Sequence, residues 1–283
     1  MIKEITDYKE IIDFTWRLSQ DDNYSSYHKV KTKEELISKL ERAIRHKEEK
    51  VIACYQAGKL KGVVIYFYEV KDRYLQTIQF AVKEDYQTVV NELIEYIQEG
   101  YEGYEFLIPL PASNVKLGES LKSFNFSLLE PEIVTHFTSY ENVEPKQSSR
   151  IVRITQANFE EYRSAHDVFT DGTDVFYKSD QLLERLERFR LYALYREGKI
   201  VGSLFTTYDD ILEIFGCYAT DNSYEVYQEL LLHMIYDLKD EISKASLFVY
   251  FINESNNQEL KASLDLGFEI RDVNMVYKKI VSM

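Results

Sequence analysis

The chain carries two similar twelve-residue phrases. "ACYQAGKLKGVV" occupies residues 53–64 and "ALYREGKIVGSL" occupies residues 193–204. Each is a short apolar run followed by Gly, Lys, an aliphatic residue, one spacer and a second Gly. Gly58 and Gly198 lie 140 residues apart, as do Gly62 and Gly202, close to half of the 283-residue chain. Self-similarity at a fixed offset is the mark of a duplicated unit. The first glycine of each phrase, preceded by Ala57 or Glu197, suits the positive φ of a two-residue hairpin turn.

The duplication extends on both sides. "VKTKEELISKLERAIRHKEE" places Leu36, Ile37, Leu40 and Ile44 on one helical face, and "KSDQLLERLERFR" does the same with Leu182, Leu183, Leu186 and Phe189. Ser179 or Asp180 is the expected N-cap of the second helix. After each hairpin come a strand ("LQTIQFAV", "ILEIFGCYAT"), a long amphipathic helix ("TVVNELIEYIQEG", "YEVYQELLLHMIYDLKDE") and a short apolar strand ("YEFLIPL", "ASLFVYFI"). "SNVKLGESLKSFNF" and "SNNQELKASLDLGF" then both begin Ser-Asn and reach Phe twelve residues after that Asn. Asn125 and Gly267 precede that Phe, and both residue types sit readily in the left-handed conformation that closes a helix. The alternation predicts an α/β fold in two tandem domains, each a mostly antiparallel twisted sheet with helices on both faces. The expected limits are residues 1–141, a polar linker at 142–150 within "ENVEPKQSSR", and residues 151–283.

Composition narrows the function. Net charge is −14, and residues 1–145 hold 18 Lys and Arg against 25 Asp and Glu, so each half carries half of the total. That sign disfavours nucleic acid as a partner and favours cationic ligands, although solubility alone accounts for it equally well. No apolar run approaches the roughly 20 residues of a membrane span, and "MIKEITDYKE" has no signal-peptide pattern, so no membrane and a cytoplasmic location are expected. Cys54 and Cys217 lie in apolar strands and read as buried thiols. His28, His46, His136, His166 and His233 show no metal-ligand spacing, so no metal is expected.

Taken in order, the "GKIVG" hairpin, the "NESN" after the fifth strand, and Gly267-Phe268 at fixed distance from Asn256 resemble the GCN5-related N-acetyltransferase (GNAT) family. The first half resembles it at Asn114, Asn125 and Phe126, so the whole chain is similar to a tandem pair. The resemblance implies acetyl-CoA as co-substrate, lying in a gap between the fourth and fifth strands, with an amine attacking its thioester directly. It also implies a carboxylate base, a Tyr that protonates the leaving thiolate, and a pyrophosphate held at the N-terminus of the helix after the fourth strand.

Carried onto this sequence, the family pattern places cofactor binding at Val82, Gln87 and Asn114 in the first half. In the second it places it at Tyr218, Ala219, Tyr224, Tyr227, Gln228 and Asn256. The glycines that let backbone N–H groups reach the phosphates are replaced by Val90 and Glu92, and by Tyr227 and Glu229. The position of the acid Tyr holds Leu121 and Ser263, which leaves Tyr250 on the fifth strand as the expected substitute. Glu213 interrupts an apolar strand and is the expected base, or a solvent-facing residue by alternation. Gln76 and Gln79 stand on the equivalent strand of the first half, and Gly216 is expected to permit a bulge beside the gap.

Loops between the first two helices mix acids with aromatics, which suits an ammonium ligand. Asp21, Asp22, Tyr24 and Tyr27 stand in one, and Asp167, Asp171, Asp174, Phe176 and Tyr177 in the other. Asp171, Asp174, Phe176 and Tyr177 are the expected substrate residues. The reading is an acyl-CoA-dependent N-acetyltransferase acting on a small amine or peptide amine, with a cationic acceptor favoured. A non-catalytic tandem GNAT-fold scaffold, and more distantly an aminoacyl transferase of the peptidoglycan-bridge type, are the alternatives.

Overall fold

A computed structural model describes residues 1–27, 29–139, 144–173 and 175–282. In chain order the first elements are β1 (Ile2–Glu4), α1 (Ile12–Ser19), α2 (Lys33–Arg45), β2 (Glu49–Gln56), β3 (Lys59–Glu69) and β4 (Tyr74–Val82). Then come α3 (Tyr86–Gln98), β5 (Glu105–Pro111), α4 (Val115–Ser123), β6 (Ser127–Leu128) and β7 (Glu132–Phe137). The second series is β8 (Ile151–Ile154), α5 (Phe159–Thr170), α6 (Ser179–Glu184), β9 (Arg190–Arg196), β10 (Lys199–Thr206) and β11 (Ile211–Ala219). It ends with α7 (Tyr224–Asp237), α8 (Lys239–Ile242), β12 (Leu247–Asn253), α9 (Asn257–Leu264) and β13 (Phe268–Ile280).

The chain forms two compact units, one of Met1–Pro131 with Val273–Met283, the other of Glu132–Asp272. In the first, strands run β1-β2-β3-β4-β5 and then the end of β13, whose residues 274–280 pair antiparallel with 105–111 of β5. In the second they run β7-β12-β11-β10-β9-β8. These limits differ from a division at residues 142–150. The last strand of each sequence repeat serves the other repeat's sheet: β7 pairs with β12, and β13 with β5. An apolar strand has the same pattern whichever sheet it joins, so the exchange leaves no trace in the sequence. Residues 140–143, which include the first two of the expected linker, lie outside the described residues.

Local chemistry accounts for the shared elements. Ala57 and Gly58 have φ of 48° and 74°, and Glu197 and Gly198 have 51° and 74°, the two consecutive positive values a tight hairpin turn needs. A Cβ on Gly62 would stand 2.8 Å from Val89 and 2.9 Å from Leu93, and one on Gly202 would collide with Val226. The second glycine of each phrase therefore lets α3 or α7 lie close on its sheet. Asn125 (φ 61°) and Gly267 (φ 89°) take the left-handed conformation after α4 and α9. The helix expected through Phe189 is shorter: α6 stops at Glu184, and its N-cap is Lys178 without a side-chain cap bond. Ser179 bonds Asp167 instead, and Phe189 turns inward against Tyr177, Phe205 and Phe215. No helix of the described residues is long and apolar enough to cross a membrane.

Candidate functional site

Both units contain a pair of parallel strands that part. Between β4 and β5 the ladder joins 74–76 to 105–107, while β4 continues to Val82. Between β11 and β12 it joins 211–214 to 247–250, while β11 continues to Ala219. A bulge lies on the other edge of each inner strand. The β3–β4 register passes from Ile65↔Gln79 to Tyr66↔Thr77, and the β10–β11 register from Phe205↔Gly216 to Thr206↔Ile214. Bulges bend a strand and raise its twist, which turns β4 and β11 away from their parallel neighbours. The registers also equate the two strands residue by residue: Gln76 with Glu213, Gln79 with Gly216, Phe80 with Cys217, and Val82 with Ala219.

On β11, Leu212, Ile214 and Cys217 face the core beneath α7, while Phe215 and Tyr218 pack in the cluster beneath α5 and α6. Alternation puts Glu213 on the α5 face, just before the strands part. It is half-buried. Burial raises its carboxyl to about 8, helped by the charge of Glu132 and opposed by Arg188. Gly216 follows the bulged Phe215, and a Cβ there would stand 2.5 Å from the Phe205 ring and 2.8 Å from the Tyr218 hydroxyl. The Tyr218 ring stacks on Phe169 at 5.7 Å, and its buried hydroxyl has no hydrogen-bond partner. Buried polar groups are nearly always paired, so an orphaned phenol over Gly216 fits a ligand's acceptor atom.

Tyr250 does not join Glu213. It pairs with Ile214 and belongs to the core beneath α7, the opposite face of the sheet. Its hydroxyl donates to Glu259, a buried carboxyl raised to about 8 by desolvation. Asn256 caps α9 by accepting from Glu259 N–H (3.2 Å), and its amide donates to Glu259 and to the Tyr227 hydroxyl (3.0 Å). Glu259 is the residue that sequence reasoning missed. Asn256-x-x-Glu259 spells a capping box, whose Glu ordinarily reaches back to the cap's backbone. Here the glutamate turns inward to Tyr250.

The start of α7 is self-capped. Ser223 Oγ accepts from Val226 N–H (3.4 Å) and donates to Glu225 (2.9 Å), with Asp221 in the preceding turn. Tyr224 donates to Asp265 (2.8 Å) and accepts from Gln228 (2.9 Å). Tyr227 is buried core, and Glu229 is held by Arg150 and Ser148. No glycine cradle for a diphosphate exists here. The ladder ends at Ile214 and Tyr250, so β11 beyond it runs without β12 as a parallel partner; the helix start does not fit the phosphates.

Of the expected substrate residues, Asp171 is exposed after α5 and Asp174 lies outside the described residues. Phe176 packs on Tyr177 with the Arg185 guanidinium over its ring. Tyr177 sits against Phe189, Phe205 and Phe215. Its carbonyl accepts from His166 Nε2 (2.8 Å), which leaves Nδ1 to accept from Tyr162. Burial lowers the His166 pKa and keeps the ring neutral.

In the first unit, Val82 is core against α3. Gln87 donates to Asn91 and accepts from Ser120. Asn114 caps α4 and donates to the Ser25 carbonyl (2.9 Å). Only part of the loop with Asp21 and Asp22 is turned inward: Ser25 and Ser26 are fully buried and Tyr24 lies near Tyr86, while Asp21 and Asp22 are exposed. Leu121 and Ser263, at the position of the missing Tyr, are both buried. Among the described residues no group of His, Cys, Asp or Glu could hold a metal.

No family model matches the chain, and no curated protein matches it by sequence. Solved structures resemble it. A GCN5-related N-acetyltransferase from Sphaerobacter thermophilus gives a TM-score of 0.67 at 10% identity, covering 100% of this chain and 96% of that one. A tandem GNAT protein from the clavulanic acid biosynthesis pathway gives 0.57 at 10% identity, covering 100% and 99%. A GCN5-related N-acetyltransferase from Kribbella flavida gives 0.54 at 12%, covering 86% and 93%. At these identities the likeness is one of architecture: this chain carries the tandem GNAT fold.

Proposed function

We propose that this chain transfers an acetyl group from acetyl-CoA to an amine, and that the second unit is the one that acts. The carrying observation is Glu213, a desolvated carboxyl on β11 at the point where β11 and β12 part. When bound, acetyl-CoA supplies the acyl group as an activated thioester. Glu213, once ionised, takes a proton from the acceptor nitrogen at its carboxylate oxygen. Tyr218 holds a proton at its hydroxyl above Gly216, within the parted stretch, and is our candidate donor in place of Tyr250. Main-chain groups around Tyr218 and Ala219 orient the arm. Tyr224, Gln228, Tyr227 and Asn256 shape its walls through the hydrogen bonds described above.

The acceptor we propose is a small or peptide amine. The charge of −14 and the exposed Asp171 favour a cationic one. The weak hold on the diphosphate predicts modest affinity for the donor. A thermal-shift titration tests binding: about 100 Kd of acetyl-CoA stabilises a specific binder by about 2.7 kcal/mol. A flat response would leave the non-catalytic scaffold reading in its place.

A further inference from the structure

The gap of the first unit is filled by the protein's own chain. Residues 22–27, between α1 and α2, run into the space where β4 leaves β5. Ser26 Oγ accepts from Phe80 N–H (2.6 Å) and donates to Phe80 C=O (3.2 Å), so one hydroxyl satisfies both main-chain groups on the open edge of β4. Tyr27 N–H donates across the gap to Pro109 C=O on β5 (3.3 Å). Ser113 Oγ donates to Asp22 C=O (2.8 Å), and Asn114 Nδ2 to Ser25 C=O (2.9 Å). Ser25 and Ser26 are 0% and 1% exposed.

The strand facing this segment is built for it. Because the Pro109 carbonyl points into the gap, its ring stands on the same edge, where an N–H would otherwise be. Pro111 repeats this two residues on, and its carbonyl is taken by Asn114 N–H (2.9 Å). The edge of β5 therefore has no main-chain donor at these positions, which weakens any ladder it could make with β4 there. The stretch "LFVYFIN" of β12 contains no proline. In the second unit the corresponding loop bonds to the end of α5 and within itself: Lys178 Nζ donates to the carbonyls of Thr170 and Thr173, and His166 Nε2 to that of Tyr177, whose ring packs on Phe215 of β11.

We propose that residues 22–27 are a resident occupant of the first unit's gap. They hold the main-chain positions that an extended arm would need, so the chain takes up one acyl-CoA and not two. The single site in the second unit rests on the function proposed above; the occupancy of the first unit does not.

Amide exchange followed by NMR on the full chain separates the two claims, with acetyl-CoA as the probe. With the segment in place, the Phe80 amide exchanges at least about 100-fold more slowly than an unprotected amide. Saturating acetyl-CoA leaves it unchanged, while the Cys217 amide at the equivalent place on β11 responds. The S26A variant removes the hydroxyl with little change of shape and speeds Phe80 exchange about tenfold or more. S26G checks the same bond should S26A fold poorly. A freely exchanging Phe80 amide, or one that acetyl-CoA protects, overturns the occupancy. A slow Phe80 amide with no response anywhere to acetyl-CoA upholds the occupancy and removes the acyltransfer reading instead.

Discussion

The two gaps are built on one register and have diverged in what stands along it. At the place before the strands part, β11 carries the carboxyl of Glu213 and β4 the amide of Gln76, nearly the same shape without an exchangeable charge. At the bulge, β11 has Gly216, and β4 has Gln79, a buried side chain whose amide nitrogen has no partner. The capping asparagine likewise differs. Asn114 is bonded to the inserted loop, whereas Asn256 is bonded to Tyr227 and Glu259. A duplicated fold thus keeps its frame through hairpin turns and glycine contacts, while the chemistry of each gap depends on four or five side chains.

Three substitutions and a pH series would break or sharpen this contrast. The largest effect is expected from Glu213→Gln, which should lower kcat for amine acetylation by about 100-fold or more, as loss of a general base does. Its KM for acetyl-CoA should stay unchanged in steady-state kinetics. Equal turnover in that variant would remove the base assignment. Next is Tyr250→Phe, which leaves the buried Glu259 without its phenol. An unsatisfied buried group costs about 1–3 kcal/mol, readable as a lower denaturant midpoint, and the effect on acetyl-CoA affinity should be small.

The pH dependence follows from the two raised carboxyls. Both have folded-state pKa values of about 8, far above the unfolded 4.5. Their contribution to stability is complete below about pH 4.5 and is lost as pH rises through about 8. Thermal midpoints should therefore fall between about pH 4.5 and pH 8, and less steeply in Glu213→Gln. Over the same range kcat/KM should rise toward a plateau, because the base must be ionised. The smallest effect is expected from Gln76→Glu in the first unit, which should add no activity despite restoring a carboxyl to the equivalent place.

Much of the frame was legible in the sequence because local backbone demands leave residue signatures. The turns at Gly58 and Gly198, and the caps at Asn125 and Gly267, follow from which side chains tolerate positive φ. Glu213 was legible as a charge interrupting an apolar strand. What escaped was decided by tertiary partners. The burial of Ser25 and Ser26 escaped because the main-chain partner of Ser26, Phe80, is 54 residues away. Glu259 escaped because its place three residues after Asn256 suits a capping box, and only its bond with Tyr250 turns it inward. The exchange of β7 and β13 escaped because apolar alternation does not name the sheet a strand will join.

The central claim is that the second unit's gap is open to a thioester arm and the first unit's is not. Calorimetric titration of the full chain with acetyl-CoA, beside Gly216→Val and Gln79→Val, tests it most directly. The account predicts one site per chain, weakened about 100-fold or more by valine at 216, where even a Cβ meets Phe205 and Tyr218, and untouched by valine at 79. Two sites per chain, or binding that survives in a folded Gly216→Val protein and is lost in a folded Gln79→Val protein, would contradict it.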